Sequence, residues 1–139
     1  MSVFGLNHYN LRAPRELLDR LKAFYCDVVG LQEGPRPPFR SEGHWLYAGD
    51  RDVLHLTVAA ADESRATGVA TTFDHVAFTC ADFAATLARL EALGIEFEAD
   101  EMASLTQKQL FLSDPAGNGI ELNFAMGAQS TDSDGAHGA

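Results

Sequence analysis

The chain repeats a short pattern, and this internal duplication constrains its fold more than any other feature of the sequence. Residues 73–78 (FDHVAF) carry His75 in a short strand-like run, and residues 6–11 (LNHYNL) carry His8 at the same place in a similar run, 67 positions earlier. Each run is followed by a helical pattern, a turn and further strand-like segments. The sequence therefore predicts two copies of one supersecondary unit.

Each copy also closes on a second residue that could bind a metal. The first copy ends in residues 53–57 (VLHLT), which contain His55, and the second ends in residues 120–124 (IELNF), which contain Glu121, 66 positions later. Within the copies, 47 residues separate His8 from His55 and 46 separate His75 from Glu121. A shift of 66 or 67 residues along the chain therefore relates the first pair of residues to the second.

Hydrophobic periodicity predicts the order β-α-β-β-β in each half, and hence an α+β fold. Alternation indicates strands and a 3.6-residue period indicates helices, while Gly30 and Gly94 are suitable helix ends. The three prolines in residues 34–44 predict a loop. In the first half the pattern gives bounds for a strand at 5–11, a helix from Pro14 and strands at 45–48 and 52–58, and it gives no bounds for the remaining strand. In the second half we expect a strand at 72–79, a helix at 82–93 and strands at 95–98, 107–112 and 120–124.

The size of the chain predicts a single globular domain over residues 1–126. Module one would span 4–59 and module two 72–126, joined by a small, polar linker at 60–71. Residues 127–139 are rich in Gly, Ser, Asp and Ala, and we expect a disordered tail there.

The charge balance bears on possible partners. Ten Lys and Arg stand against twenty Asp and Glu, for a net charge of −10. This balance argues against nucleic acids and anionic membrane surfaces as partners, because both require a basic footprint. No apolar run is long enough to span a bilayer and no N-terminal leader is apparent, so a soluble cytoplasmic protein is expected. Cys26 and Cys80 show no metal or disulfide spacing, and we interpret both as structural.

Strand parity places the four repeated residues on equivalent faces. Leu54, Leu56 and their counterparts in the second copy form an apolar face for the helix, so His55 and Glu121 point the opposite way. His8 and His75 likewise oppose the apolar residues of their strands. Each residue alone could be satisfied by backbone or solvent. The matched spacing of three imidazoles and a carboxylate instead favours a divalent transition-metal site.

The same parity identifies candidates for substrate binding. Trp45, Tyr47, Gln109 and Phe111 share the face of the proposed ligands, and Asn10 lies two residues after His8. The aromatic members could be ordinary core residues. As a group, they predict a pocket with an aromatic wall.

These motifs resemble the vicinal oxygen chelate superfamily over about residues 4–126. The superfamily includes glyoxalase I, methylmalonyl-CoA epimerase, fosfomycin-resistance enzymes, extradiol dioxygenases and the metal-free bleomycin-resistance proteins. The resemblance is carried by the runs NHY at 7–9, LHL at 54–56, DHVAF at 74–78 and DPAGNGIEL at 114–122.

The resemblance implies paired βαβββ modules that form a curved, incomplete barrel around a central cleft, commonly in a homodimer. It also implies one divalent transition metal (Zn, Ni, Co, Mn or Fe), with His8, His55, His75 and Glu121 at the ligand positions. His55 departs from the pattern, because glyoxalase I and the epimerase usually carry Glu or Gln there. Glu121 is then the carboxylate that remains to move protons.

Three functions follow from this resemblance. The first is a metal-dependent lyase or isomerase of the glyoxalase I type, which chelates a small oxygenated substrate and transfers a proton. The second is an Fe(II)-dependent extradiol-type dioxygenase, which would require His55 to stand off the metal. The third is a non-catalytic protein that binds a small molecule such as a drug.

Overall fold

The chain folds as two compact units with the same order of elements. The computed structural model describes residues 2–104 and 107–125, and the side chains of all of these except 101–104. The division between the units falls between Gly68 and Val69.

The first unit contains β1 (Tyr9–Ala13), α1 (Arg15–Phe24, continued by a π-helical segment, Tyr25–Val29), β2 (Gln32–Gly34), β3 (Gly43–Ala48) and β4 (Arg51–Val58). The second contains β5 (His75–Cys80), α2 (Phe83–Ala92), β6 (Glu98–Ser104), β7 (Gln107–Ser113) and β8 (Gly119–Ala125). The α+β class and the two βαβββ modules predicted from the sequence are confirmed, while the predicted tail at 127–139 lies outside the described residues.

Each unit forms a four-stranded mixed sheet with the same connectivity. The strand orders are β1-β4-β3-β2 and β5-β8-β7-β6. The first and last strands of each unit are parallel neighbours, whereas the other pairs are antiparallel. This topology places the first and last strands of each unit side by side. His8 therefore lies near His55 in the first unit, and His75 lies near Glu121 in the second.

The core of each unit lies where the helix meets the sheet. In the first unit α1 packs on β1 and β4, and Leu18, Leu54 and Leu56 are fully buried. In the second unit the ring of Phe83 on α2 lies edge-on to Phe124 on β8, with 5.2 Å between the ring centroids. Alternate residues of the closing strands thus form the buried apolar face that strand parity predicted.

Glycines end both helices. Gly30 has a φ of +101° and Gly94 a φ of +67°, in the left-handed region that side chains with a Cβ avoid. The amides of Gly30 and Leu31 both bond to the carbonyl of Tyr25, which satisfies the end of the helical segment. The predicted helix ends therefore agree with the structure.

Strand β1 begins later than the sequence predicted. It starts at Tyr9 rather than at residue 5, so His8 immediately precedes the strand instead of lying within it. The guanidinium of Arg51 donates to the carbonyl of Leu6 at 3.2 Å. A side chain thus binds the backbone there in place of a neighbouring strand.

Three other boundaries also differ from the prediction. Strand β5 begins at His75 rather than at residue 72. Strand β6 covers Glu98–Ser104 rather than 95–98, because the amide of Ile95 bonds to the carbonyl of Leu90 and completes the end of α2. The predicted loop at 34–44 is shorter, since β2 ends at Gly34 and β3 begins at Gly43. A Cβ at Gly43 would lie 2.0 Å from the carbonyl oxygen of Leu56, so this strand start requires a glycine.

Candidate metal centre

In the first unit, three aromatic rings form a continuous stack. Trp45 and His55 are register partners on β3 and β4, and their rings stack with centroids 4.0 Å apart and 7° between planes. The imidazole of His8 stacks on His55, with centroids 3.7 Å apart and 17° between planes. His55 is buried, with 8% of its surface exposed, and it forms the middle layer of the stack.

Asp52 fixes the orientation of the His55 ring. Nε2 of His55 donates to Oδ2 of Asp52 at 2.7 Å, and this hydrogen bond is the main reason that the pKa of Asp52 is lowered. Because an ionised carboxylate only accepts hydrogen bonds, Nε2 carries a proton, and in the neutral imidazole the lone pair is then on Nδ1. Within the described residues, Nδ1 makes no hydrogen bond.

The contribution of Asp52 was missed at the sequence level because strand parity places positions 52 and 55 on opposite faces. The register between β3 and β4 shifts at this point: Leu46 pairs with Leu54, but Tyr47 pairs with Asp52. One extra residue on β4 forms a β-bulge, which re-aims the side chains beyond it. No signal in the sequence marks this bulge.

In the second unit, His75 and Glu121 face each other across the parallel strands β5 and β8. Nε2 of His75 lies 3.2 Å from Oε1 of Glu121, while Nδ1 of His75 donates to Oδ2 of Asp74 at 2.7 Å. The hydrogen bond with Asp74, aided by the charges of Asp74 and Glu121, raises the pKa of His75. An imidazole whose far nitrogen is held by a carboxylate is the usual arrangement of a histidine that binds a metal.

Two amides hold the other oxygen of Glu121. Nδ2 of Asn123 donates to Oε2 at 2.9 Å, and Nε2 of Gln109 donates to the same oxygen at 3.1 Å. Glu121 is only 7% exposed, so these donors compensate part of the cost of burying its charge. Oε1 is left facing His75.

The repeat extends to the residues around these pairs. Nδ1 of His8 bonds to Oδ1 of Asn7 at 2.7 Å, as Nδ1 of His75 bonds to Asp74. Phe111 pairs with Glu121 as Trp45 pairs with His55, and its ring lies edge-on to His75 with centroids 6.0 Å apart. The duplication in the sequence is thus accompanied by matching strand register and by matching hydrogen bonds at Nδ1 of His8 and His75.

The predicted substrate-binding residues have varied surroundings. Trp45 stacks on His55, Phe111 lies edge-on to His75, and Gln109 donates a hydrogen bond to Glu121. Asn10 donates to the hydroxyl of Thr57 at 2.9 Å. The hydroxyl of Tyr47 donates to the carbonyl of Pro35 at 2.5 Å, which ties β3 to the start of the proline-rich loop. Their role toward a substrate stays a prediction.

The cysteines differ from this polar cluster. Both thiols are free, and burial raises the pKa of Cys26 and of Cys80. Reactive thiols instead have a lowered pKa, so both residues fit the structural role that the sequence predicted.

The donor set of the second unit fits a divalent transition metal. Two ligands that each lie about 2.0–2.2 Å from one metal are themselves roughly 3 Å apart, which matches the 3.2 Å between His75 Nε2 and Glu121 Oε1. One imidazole and one carboxylate suit Zn, Ni, Co, Mn and Fe alike. In residues 2–104 and 107–125, no group of three or more His, Cys, Asp or Glu side chains that could hold a metal ion is assembled.

Comparison with known proteins identifies the family. A sequence model of the glyoxalase/bleomycin resistance protein/dioxygenase superfamily matches residues 5–122. The chain belongs to this superfamily. No curated protein sequence matches the chain. Among its described helices, none is long and apolar enough to cross a membrane.

Solved structures of the superfamily fold share most of the length of the chain. Lactoylglutathione lyase from Agrobacterium tumefaciens is 25% identical, with a TM-score of 0.62 over 91% of this chain and 97% of that one. Fosfomycin resistance protein FosX from Listeria monocytogenes, solved with Mn(II) and sulfate, is 17% identical, with a TM-score of 0.61 over 88% and 93%. The antibiotic-binding protein TnmS3 from Streptomyces sp. CB03234 is 20% identical, with a TM-score of 0.64 over 90% and 98%. The fold of this superfamily thus occurs in a lyase, a resistance protein and a binding protein.

Proposed function

We propose that the chain is a divalent-metal-dependent lyase or isomerase of the glyoxalase type that acts on a small oxygenated substrate. The observation that carries this proposal is the pair formed by His75 Nε2 and Glu121 Oε1, 3.2 Å apart. Asp74 holds the far side of the imidazole and two amides hold the far side of the carboxylate. The likeness to lactoylglutathione lyase supports the same reaction class.

The proposed ligands are His75, Glu121 and His8, and the sequence spacing predicts His55 as a fourth. His8 has Nδ1 bonded to Asn7, which leaves the lone pair of Nε2 for a metal. The metal would be Zn, Ni, Co, Mn or Fe. Once bound, such a cation supplies Lewis acidity toward a substrate oxygen.

The side chains of this constellation divide the remaining tasks. We propose that Glu121 moves the proton, because it is a carboxylate held in a fixed position among the candidate ligands. Asp74 orients His75, and Asn123 and Gln109 orient Glu121. The indole of Trp45 and the ring of Phe111 supply apolar surface beside the imidazoles, which limits the access of water.

The proposal includes the partners that the sequence predicts. These are a small-molecule substrate and a second copy of the chain in a homodimer, in the cytoplasm, without nucleic acid or membrane. The net charge of −10 supports the last two points. Light scattering coupled to size exclusion would measure the oligomeric state directly.

An extradiol-type dioxygenase is the second candidate, and one observation favours it. The ring of His55 is stacked face to face on that of His8, so the two imidazoles would not share one metal. His8, His75 and Glu121 would then form the two-histidine, one-carboxylate set of non-haem Fe(II) oxygenases. Turnover of a catechol that requires both Fe(II) and oxygen would select this candidate over the lyase or isomerase.

Metal content is the first measurement. The parent, His75→Ala and Glu121→Ala would be purified without added metal and analysed for elements, with His44→Ala as a control. His44 is bonded to Glu33 and belongs to neither pair. We expect about one transition metal per chain in the parent and the control, and loss of the metal in the other two variants, with circular dichroism to verify folding.

The identity of the metal then directs the substrate screen. Ni, Co or Zn would direct it toward isomerases and lyases, and Fe toward dioxygenases. A parent that is metal-free and cannot be loaded would refute both enzymatic candidates. A non-catalytic small-molecule binding protein, the class to which TnmS3 belongs, would take their place.

A further inference from the structure

The stack of Trp45, His55 and His8 assigns a role to His55 that differs from the one its spacing predicts. We infer that His55 is not a metal ligand, but a fixed platform that positions the imidazole of His8 for metal binding. The inference rests on the proposed metal-dependent function and narrows its ligands to His8, His75 and Glu121. His55 would thus be a positioning residue that acts through His8.

The geometry of the stack excludes a metal shared by His8 and His55. A metal bound to an imidazole nitrogen lies close to the plane of the ring, about 2.0–2.1 Å from that nitrogen. The two rings are nearly parallel, with 17° between planes and 3.7 Å between centroids. Their planes meet far beyond that bonding distance, so at most one of the two can bind a given metal in this arrangement.

Burial and the repeat indicate that His8 is the ring that binds. Nε2 of His55 is occupied by Asp52, and Trp45 covers one face of the ring at 4.0 Å while His8 covers the other. His55 is therefore held on two faces and at one edge. His8 is exposed, and its Nδ1 is bonded to Asn7 as Nδ1 of His75 is bonded to Asp74. Nε2 of His8 has no hydrogen-bond partner among the described residues, and it corresponds in the repeat to Nε2 of His75, which faces Glu121.

His8 also requires a platform. It is exposed and lies in the irregular segment before β1, so strand pairing does not fix its side chain. The contacts that hold its ring are the hydrogen bond to the adjacent Asn7 and the stack on His55. An imidazole fixed before the metal arrives loses less conformational entropy on binding, which strengthens the complex.

The inference is tested by separating stacking from coordination at position 55. His55→Phe retains a planar ring of similar breadth but has no nitrogen, whereas His55→Ala removes both the ring and the nitrogens. Asp52→Ala releases the edge of the ring and serves as a third variant. Affinity for Co²⁺ and Zn²⁺ is measured by competition with a chelator, after circular dichroism has shown that each variant is folded.

We expect His55→Phe to bind metal within about threefold of the parent. His55→Ala should bind at least tenfold more weakly, in the range found when the supports of a metal ligand are removed. The visible spectrum of bound Co²⁺ should keep its shape in His55→Phe, because the set of donor atoms does not change. A large loss of affinity in both variants would identify His55 as a ligand and overturn the inference. Equal, parent-like affinity in both would also overturn it, since no platform would then be needed.

A second measurement does not depend on metal. In the metal-free protein, the stacked rings should shift the NMR resonances of the His8 ring upfield, and this shift should persist in His55→Phe and vanish in His55→Ala. An unshifted His8 ring in the parent would refute the stack. A parent that binds no metal would refute the proposed function, whereas a parent that binds metal through His55 would refute only the inference.

Discussion

Each candidate ligand has a polar neighbour that determines which of its atoms is available. Asn7 and Asp74 accept hydrogen bonds from Nδ1 of His8 and His75, and two amides donate hydrogen bonds to Oε2 of Glu121. Such partners fix the tautomer of an imidazole and the rotamer of a carboxylate before a ligand arrives. Several polar side chains thus orient the candidate ligands and are not candidate ligands themselves.

The amide of Asn123 offers a direct test of this arrangement. Asn123→Ala removes the shorter of the two bonds to Glu121 Oε2, 2.9 Å against 3.1 Å, and lets the carboxylate rotate. We expect metal affinity to fall by roughly 10- to 100-fold, measured by competition with a chelator. The control is Thr57→Ala, at the repeat-equivalent position, where the hydroxyl accepts from Asn10 instead. Equal affinities in the parent and Asn123→Ala would show that Glu121 needs no such support.

At the scale of residues, the sequence predicts which repeated side chains lie together better than it predicts the neighbours that contact them. The repeat spacing identifies His75 with Glu121 and His8 with His55, and the structure brings each pair together within its own unit. Strand parity fails at Asp52, because a β-bulge in β4 changes which side chains share a face. The stack of His8 on His55 likewise depends on the path of the segment before β1, which no short-range pattern encodes.

At the scale of elements, an ionic cluster ties the segment after β4 back to β1. Glu63 accepts from Nε of Arg12 at 3.0 Å and from Nη2 at 2.6 Å, and it also pairs with Arg65. The amide of Ala60 donates to the same carboxylate at 3.2 Å. A bidentate guanidinium forms stronger hydrogen bonds to a carboxylate than a neutral donor does, so this cluster holds the start of the predicted linker against β1.

The cluster makes stability depend on pH in a predictable direction. The hydrogen bonds from Arg12 and then Arg65 lower the pKa of Glu63 from 4.5 to about 2. A lowered folded-state pKa stabilises the fold above the ordinary value and loses that effect as pH falls toward 2. Glu63→Gln should therefore be less stable than the parent at pH 7, and the difference should shrink between pH 4.5 and 2.

Urea unfolding of both proteins at a series of pH values would measure this difference. Glu96→Gln removes the same charge at an exposed position and should follow the parent throughout. A difference between Glu63→Gln and the parent that is constant across the pH range would mean that the ion pairs are not its source.

The predictability of the elements follows from where their hydrogen bonds go. The sequence closely predicts the elements that have a clear hydrophobic period and a clear glycine or turn signal. These are α1, α2, β3, β4, β7 and β8. Strand β2 is three residues long, too short for a period to be visible. Strand β6 begins later than predicted because the amide of Ile95 completes the end of α2. The alternation of apolar and polar residues from Ile95 onward therefore does not mark a strand.

At the scale of the whole molecule, the excess of acidic residues favours the binding of cations, as the proposed metal site would. With a net charge of −10, the acidic side chains repel one another in the folded state and attract counter-ions. Any salt will therefore raise stability to some extent by screening this repulsion. A specific metal adds to that effect only by binding the folded state more tightly than the unfolded one.

These two effects can be separated by thermal unfolding. At a free metal concentration of about 100 times Kd, binding to the folded state adds about 2.7 kcal/mol, which corresponds to a rise in Tm on the order of 5–10 °C for a protein of this size. Zn²⁺, Ni²⁺, Co²⁺ and Mn²⁺ would each be compared with KCl at equal ionic strength, and a chelator should reverse the rise. Glu121→Ala should respond to every metal only as it responds to KCl, because it keeps most of the acidic surface and lacks the ligand. If this variant instead gained as much as the parent, the stabilisation would come from the charge of the whole surface, and His75 with Glu121 would not be the site.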